Sequence, residues 1–181
     1  MNLREEKVSS TYYYKGKIIN MKVDDVRLPN GELAKREEVE HPGGCSIAAL
    51  TENNELFFVR QFRYAYDEEV LELPAGKLEK GEDPFEAMKR ELREETGCLA
   101  EEFVSLGTAY PTPGYTNELL RIWACRVSDH TAQDLDSDEF LEVVRIPLDK
   151  AVEMVMNNEL PDAKTQIGIL KTALLVKEGK L

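Results

Sequence analysis

The amino-acid sequence predicts an α/β protein with a mixed sheet. A helix-forming stretch with clear start and stop signals lies at residues 84–97, between extended segments on both sides, and two further helical segments follow. Strands interspersed with helices are typical of a layered sandwich. The chain has 181 residues, of which 42% are hydrophobic, so it can bury a core without disulfides or metals.

The first forty residues are predicted to form a β-hairpin. The segments 17–28 and 32–40 have an extended pattern, and a Pro-Asn-Gly turn signal joins them. A two-stranded ribbon alone is marginal in water. We therefore expect residues 1–42 to pack on the rest of the chain or on a second copy, and residues 43–181 to form the main domain.

The remaining elements follow from the pattern of apolar residues. Pro84 suits the first turn of a helix and Gly97 its end, which predicts a helix over residues 85–96. Two more helices are predicted near residues 148–157 and 162–177. Strands are predicted near residues 45–50, 56–62, 70–73, 101–109, 118–127 and 140–146.

Charge and cysteine content exclude some classes of function. The 35 acidic and 23 basic side chains give a formal net charge of −12, which repels nucleic acid but allows a small nucleotide held by local Arg groups and a divalent cation. No window has the length of a membrane span. Cys45, Cys98 and Cys125 favour neither a disulfide framework nor a zinc site. We expect a cytoplasmic protein with reduced thiols that binds neither nucleic acid nor membrane.

The helix predicted at residues 85–96 carries a cluster of glutamates. Helical spacing places Glu91 and Glu95 on the flank of an apolar stripe, with Glu94 just beyond. A glutamate-rich helix is usually a solvated face with ion pairs to nearby basic residues. The positions of these glutamates argue against that interpretation. Glu95 lies close to the apolar stripe, where burial of a carboxylate is costly, and Glu91 repels it from one turn away. A divalent cation would relieve both costs.

The ligand chemistry favours a hard cation. Oxygen ligands without a nearby His or Cys select Mg²⁺ or Mn²⁺, which keep several waters and are typically shared with substrate phosphates. The strand-to-loop step at residues 73–76 can present a backbone carbonyl to the same ion, because Gly76 allows a close backbone approach. The sequence therefore predicts metal-dependent phosphate chemistry.

These residues carry a family resemblance. Their order and spacing match every fixed position of the signature of the Nudix hydrolases, G-x5-E-x7-R-E-U-x-E-E-x-G-U, in which U is a bulky apolar residue. The matching residues are Gly76, Glu82, Arg90, Glu91, Leu92, Glu94, Glu95 and Gly97. Cys98 fills the last apolar position as a small substitute, which affects packing rather than chemistry. Glu82 and Arg90 resemble the ion pair that holds the loop to the helix.

The resemblance to the Nudix hydrolases implies a fold and a chemistry. The implied fold is an α/β/α sandwich with a mixed sheet, and the implied reaction is hydrolysis of a nucleoside diphosphate linked to another moiety. Glu91 and Glu95 resemble the principal metal ligands. Glu94 resembles either a further ligand or a residue that supports the ligands, and the carbonyl of Ala75 is implied to complete the shell. The resemblance also implies that Glu94 and Glu95 are catalytic residues.

Outside this signature, the chain resembles the ADP-ribose pyrophosphatase branch of the family over nearly its whole length. The supporting runs are Leu28-Pro29-Asn30-Gly31, Arg36-Glu37, Val59-Arg60-Gln61-Phe62-Arg63, Glu72-Leu73-Pro74-Ala75-Gly76-Lys77, and Pro113-Gly114 before Glu118. The resemblance implies a homodimer that cleaves ADP-ribose to AMP and ribose 5-phosphate with Mg²⁺. The alternatives are another nucleoside diphosphate sugar, an oxidised nucleoside triphosphate, or a module that binds ADP-ribose without turnover.

The same resemblance implies the substrate contacts. Arg63 is implied to bind the pyrophosphate or the ribose, and the alternative is that it forms a surface ion pair. Glu72 is implied to be a substrate-binding residue as well. Pro113 marks a preference for ADP-ribose. Glu118 is placed at the terminal ribose or the metal, with an ordinary strand-edge carboxylate as the alternative. Arg36 is placed near the adenine, supplied by the hairpin across a dimer.

The general base is implied to lie in an acidic loop. In this branch a glutamate after the sheet activates the attacking water, and an acidic segment occupies that place here. We predict Glu139 as the base and keep Asp136 and Asp138 as alternatives. An acidic loop that is merely solvated is the remaining interpretation.

Overall fold

A computed structural model of the protein describes residues 2–135, residue 137 and residues 139–181. The chain divides into two compact units. The first unit comprises the residues up to Gly43 together with Tyr110–Leu119, and the second comprises Gly44–Ala109 and Leu120–Leu181.

The first unit contains a three-stranded antiparallel sheet. Its strands are β1 (Glu6–Lys15), β2 (Asn20–Arg27) and β3 (Leu33–Glu40), in the order β1-β2-β3. In the turn between β2 and β3, Leu28 donates its N–H to the carbonyl of Glu32 at 2.8 Å. Gly31 in this turn has a φ of 89°, which favours glycine. The predicted hairpin is thus β2–β3, and β1 is an additional strand.

Strand β1 has no buried face, which is why the sequence did not indicate it. All of its residues are exposed, so no apolar alternation marks the segment. Polar contacts hold the sheet together instead. Ser10 on β1 donates to Asp24, and the buried ammonium of Lys22 donates to Glu40 at 2.9 Å across β2 and β3.

The second unit is built on a mixed sheet flanked by helices. Its strands are β4 (Gly44–Leu50), β5 (Glu55–Arg63), β6 (Glu68–Glu72), β7 (Ala75–Lys77), β9 (Phe103–Ala109), β10 (Leu120–Arg126) and β12 (Leu141–Pro147), while β8 (Cys98–Leu99) and β11 (Asp129–His130) form a separate short ladder. The helices are α1 (Pro84–Thr96), α2 (Leu148–Met156) and α3 (Ala163–Lys177). The strand order is β12-β5-β4-β10-β9, with β6 beside β5 and β7 beside β4. Strands β4 and β10 are parallel, and their other pairings are antiparallel.

Helices cover both faces of this sheet. Successive residues of a strand point to opposite faces, so the fully buried strand β4 contributes to two cores. Ile47 packs in the cluster that includes Leu92 of α1, and Leu50 packs in the cluster that includes Ala151 of α2 and Ile169 of α3. Burying an aliphatic side chain of this size stabilises the fold by about 1.5–3 kcal/mol. The predicted α/β/α sandwich with a mixed sheet is confirmed.

Helix α1 begins and ends where the sequence predicts. The side chain of Asp83 accepts hydrogen bonds from the N–H groups of Phe85 and Glu86 at 2.9 and 3.2 Å. Gly97 follows the helix with a φ of 73° and donates its N–H back into the last turn. The two caps fix the ends of the helix that carries the predicted metal ligands.

The structure also contains elements that the sequence did not indicate. Strands β7, β8 and β11 are too short to show a periodic pattern, and β7 forms because its backbone pairs with β4 at Cys45 and Gly76.

None of the helices in the described part of the chain has the length and apolar character needed to cross a lipid bilayer.

Candidate active site

Strand β7 brings its backbone against the carboxylates of helix α1. The N–H of Ala75 donates to Glu95 Oε2 at 2.9 Å. A Cβ added to Gly76 would lie 1.9 Å from the carboxyl carbon of Glu91, so a larger residue at this position would displace that carboxylate. Two glutamates of the helix and the peptide of Ala75 therefore form one cluster.

Glu95 is nearly enclosed, with 3% of its surface exposed. Burial raises the pKa of its carboxyl to about 8, and the negative charges of Glu91 and Glu139 add to the increase. The Ala75 N–H and the Lys164 ammonium act in the opposite direction without cancelling it. Unless a cation binds beside it, the carboxyl therefore holds a proton at neutral pH.

Glu91 is in a similar position one turn earlier, with 8% of its surface exposed. Burial raises the pKa of its carboxyl, although Arg90 opposes this effect. The negative charges of Glu94 and Glu139 raise the pKa further. Two neighbouring carboxyls on one helix are thus both disfavoured in their ionised form, which a bound cation would reverse.

Arg90 joins the loop before α1 to the glutamates. Its Nε and Nη2 donate to the two oxygens of Glu82 at 3.0 and 3.2 Å, and its Nη1 donates to Glu91 and Glu94 at 2.9 and 2.8 Å. Glu82 also accepts the N–H of Glu79 at 2.9 Å, which closes the loop. The predicted ion pair between Glu82 and Arg90 is confirmed, and it extends to two of the predicted ligands.

The donor set fits a hard divalent cation. Within the described residues, no group of three or more His, Cys, Asp or Glu side chains lies close enough together to hold a metal ion by itself. The cluster offers instead the carboxylates of Glu91 and Glu95 beside the peptide of Ala75, while Arg90 engages Glu94. A few protein oxygens are typical of Mg²⁺ sites, in which waters and substrate phosphates complete the shell.

A second charged cluster involves the ends of β5 and β6. Arg63 donates through Nε and Nη2 to the two oxygens of Glu72 at 2.5 and 2.7 Å. Lys164, in the first turn of α3, also donates to Glu72. Glu72 is 2% exposed, and burial alone would raise the pKa of its carboxyl. The positive charges and hydrogen bonds of Arg63 and Lys164 have the larger effect, so the pKa of Glu72 lies below its usual value. Glu72 is therefore ionised and fully engaged, whereas 40% of the Arg63 side chain is exposed.

The predicted base, Glu139, is exposed. Its negative charge is close enough to Glu91 and Glu95 to raise the pKa of both carboxyls. The alternatives Asp136 and Asp138 lie outside the described residues. The role of Glu139 as the base stays a prediction, supported by this proximity.

The segment that leads to Glu139 is anchored on the C-terminal end of α1. Gln133 donates through Nε2 to the carbonyl of Glu95 at 2.6 Å, and the N–H of Asp134 donates to the carbonyl of Glu94 at 3.0 Å. Carbonyl groups in the last turn of a helix lack partners within the helix. The backbone of two predicted ligands is thus bound directly to the segment that precedes the predicted base.

The other predicted substrate residues belong to the first unit. Arg36 on β3 donates to Glu5 at 2.9 and 2.5 Å. Glu118 lies 3.5 Å from Nδ1 of His41, and Pro113 is part of the same unit. The roles of Arg36, Pro113 and Glu118 stay predictions.

Two family models match the chain. Residues 40–167 match the family described as NUDIX domain, and residues 5–39 match the family described as Nucleoside diphosphate sugar hydrolase N-terminal domain. The chain belongs to the Nudix family.

Curated relatives of this Nudix protein carry different names. An ADP-ribose pyrophosphatase of Bacillus subtilis (strain 168) is 38% identical, and the match covers 96% of this chain and 97% of the relative. A methanol dehydrogenase activator of Bacillus methanolicus is 36% identical, with coverage of 91% and 90%. A GDP-mannose pyrophosphatase of Citrobacter koseri is 29% identical, with coverage of 91% of each chain. The similarity thus extends over nearly the whole of each relative.

Sequence reasoning missed two residues around this Nudix site. Gln133 lies outside any motif, and nothing in its neighbourhood indicates a contact with the helix. Lys164 did carry a signal. The first turn of a helix disfavours a positive charge, so a lysine two residues after the start signal Asp162 indicates that a carboxylate lies nearby. Glu72 is that carboxylate.

Proposed function

We propose that this Nudix protein is a Mg²⁺-dependent enzyme that hydrolyses ADP-ribose to AMP and ribose 5-phosphate, with Mn²⁺ as an alternative ion. The proposal rests on two buried carboxyls, Glu91 and Glu95, whose pKa values are both raised. The carboxyl of Glu91 also lies directly against Gly76. A divalent cation stabilises such a pair in its ionised form. The choice of ADP-ribose is supported by the full-length similarity to an ADP-ribose pyrophosphatase.

Glu91 and Glu95 would hold the cation, with Glu94 and the carbonyl of Ala75 as further ligands. A divalent cation here supplies neutralisation of the diphosphate charge and lowers the pKa of bound water. Glu95 would have to release its proton to solvent in order to bind a cation, while the Ala75 N–H would keep one of its oxygens in place. Arg90 orients Glu91 and Glu94 from the opposite side of the cluster.

Glu139 is proposed to accept the proton of the attacking water. A general base must lie within hydrogen-bond reach of that water, and the influence of Glu139 on the pKa values of Glu91 and Glu95 supports a position near the cation. The contact of Gln133 with the helix supports the same placement. Asp136 and Asp138 are the alternatives.

Arg63 is proposed to bind the diphosphate, and Glu72 contributes to this contact from behind Arg63. Arg36, Pro113 and Glu118 of the first unit are proposed to contact the adenosine and ribose parts of the substrate. An exposed guanidinium fixed by a buried carboxylate supports the role of Arg63. A guanidinium binds two oxygens of a phosphate at once, which suits a diphosphate.

We propose further that the protein is a cytoplasmic homodimer. Residues 1–42 would form the dimerisation element, which would contribute Arg36 to the substrate site of the partner. Residues 43–181 would form the hydrolase domain. Large apolar side chains exposed on the N-terminal segment support this: Leu3, Val8, Tyr12, Tyr13, Tyr14, Ile18, Ile19, Met21 and Leu33. The three free, buried cysteines suit a reducing compartment.

One comparison favours a second substrate. The full-length similarity to a GDP-mannose pyrophosphatase supports another nucleoside diphosphate sugar as the alternative. A module that binds ADP-ribose without turnover is less favoured, because Glu91, Glu94 and Glu95 are all retained.

A substrate panel tests these proposals. The protein is incubated with Mg²⁺ and ADP-ribose, GDP-mannose or a uridine diphosphate sugar, and the released nucleoside monophosphate is measured by chromatography. The variant Glu95→Gln, prepared in parallel, controls for contaminating hydrolases. A kcat/KM for ADP-ribose well above the others supports the proposal, whereas equal activity on every sugar contradicts it. Tight binding of ADP-ribose without turnover would favour the binding module.

A further inference from the structure

Lys164 is a buried lysine in an unfavourable place. Its surface is 8% exposed, and it lies in the first turn of α3, where the helix dipole disfavours a positive charge. Two carboxylates compensate for this position. Asp162, the residue that caps the helix, lies 3.0 Å from the ammonium, and Glu72 accepts a hydrogen bond from it.

Glu72 lies between two cations and cannot itself reach a ligand. One of its oxygens accepts from Arg63 Nε, and the other is shared by Arg63 Nη2 and Lys164. The side chain is 2% exposed. Any effect of Glu72 on a bound substrate must therefore pass through Arg63.

Arg63 keeps one edge of its guanidinium group for a further partner. A guanidinium has five N–H groups, and Glu72 takes one on Nε and one on Nη2. Among the described residues, Nη1 makes no hydrogen bond, so its two N–H groups and the second N–H of Nη2 remain. One N–H of Nη1 and the remaining N–H of Nη2 are parallel donors, and such a pair binds two oxygens of a phosphate. The hydrogen bond to Glu72 raises the pKa of Arg63 most, and the charge of Glu95 adds to it, which places Arg63 near the glutamate cluster.

We propose that Lys164 is a positioning residue of this site: it fixes Glu72, and Glu72 in turn holds Arg63 with its unused edge ready for an anionic oxygen of the substrate. The first turn of α3 also fixes the adjacent backbone, because Thr165 accepts the N–H of Leu73 at 2.9 Å. The proposal rests on the proposed function only in taking that anion to be the diphosphate of a nucleotide sugar.

Steady-state kinetics on four single variants and one double variant test the proposal. Lys164→Met removes the ammonium and keeps most of the bulk, Lys164→Arg keeps a cation, and Arg63→Lys removes the double donor. Lys171→Met is the matched control, because Lys171 lies on the same helix and donates only to the carbonyl of Leu106 among the described residues.

Lys164→Met should raise KM about tenfold, the equivalent of roughly 1.4 kcal/mol, with little change in kcat. Lys164→Arg should restore most of the affinity, and Lys171→Met should behave as the wild type. In the Arg63→Lys background, Lys164→Met should add almost nothing, because both changes remove the same contact. An unchanged KM in Lys164→Met, or effects that multiply in the double variant, would overturn the proposal and leave Lys164 a structural residue.

Glu72→Gln is a second variant in case Lys164→Met does not fold. It keeps hydrogen-bonding atoms and removes the charge that orients Arg63, so KM should rise to a similar extent. A folded Glu72→Gln with wild-type KM would overturn the proposal.

Binding of inorganic pyrophosphate, measured by calorimetry with Mg²⁺, separates this proposal from the proposed function. If the wild type hydrolyses no nucleotide sugar but its pyrophosphate affinity falls about tenfold in Lys164→Met, the proposed function fails and the positioning role stands. If the wild type is active on ADP-ribose and the variants retain its KM and pyrophosphate affinity, the positioning role fails and the function stands.

Discussion

Replacing Glu95 with glutamine tests the electrostatic description of the site. Burial raises the pKa of this carboxyl from 4.5 to about 8. Because the folded-state pKa is raised, the stability that the protonated carboxyl contributes is fully present below pH 4.5 and is lost as the pH rises to about 8. At about 1.4 kcal/mol for every tenfold change in proton affinity, the loss is roughly 3 to 5 kcal/mol. Glutamine has no proton to lose, so the variant should keep this stability.

The assay is urea unfolding followed by circular dichroism at pH 5 and pH 9, with EDTA present. The wild type and Glu95→Gln should be nearly equal in unfolding free energy at pH 5, and the variant should be more stable by a few kcal/mol at pH 9. In a parallel series with Mg²⁺ in place of EDTA, the wild type should be stabilised at pH 9 and the variant should not. The turnover of the variant should be lower by orders of magnitude. Glu86→Gln, an exposed position on the same helix, is the control. A difference between wild type and Glu95→Gln that is the same at both pH values would refute the reasoning.

Three further predictions concern the other parts of the site. Gly76→Ala would place a methyl group 1.9 Å from the carboxyl carbon of Glu91, so Mg²⁺ affinity measured by calorimetry should fall by roughly tenfold or more; an unchanged affinity would show that this carboxylate is not held as described. Glu139→Gln should lower kcat by about 10²–10⁴-fold and leave KM and Mg²⁺ affinity nearly unchanged, and a fully active variant would move the role to Asp136 or Asp138. If Arg36 serves a partner's site, dilution should reduce dimer content in light scattering and specific activity in parallel, which a fully active monomer would contradict.

The helix and its network could be predicted because their signals are local. Pro84 and Gly97 mark the ends of α1 by conformational preferences that neighbouring residues do not change. Glu82 and Arg90 are eight positions apart, and the helical start between them brings them together. The burial of Glu95 beside an apolar stripe follows from helical periodicity alone.

The rest depends on contacts that no local pattern encodes. Lys164 and Glu72 are 92 positions apart, and only the packing of α3 behind the end of β6 brings the ammonium to the carboxylate. Gln133 reaches the carbonyl of Glu95, a backbone group that is the same in every residue and leaves no mark in the sequence. Strand β1 was missed for a different reason, because a strand without a buried face has no apolar alternation.

The anchoring of the segment before Glu139 determines which kinds of sequence change it tolerates. Thr131 and Asp134 reach the end of α1 through their backbone N–H groups, which donate to the carbonyls of Gly97 and Glu94. Side-chain replacements at these two positions keep those donors, unless the new residue is proline. A deletion or insertion after Asp134, by contrast, changes the number of residues between the anchored positions and Glu139. A change in the length of this segment should therefore disturb the site more than a side-chain replacement at Thr131 or Asp134, whereas Gln133, which binds the helix through its side chain, should tolerate replacement less well.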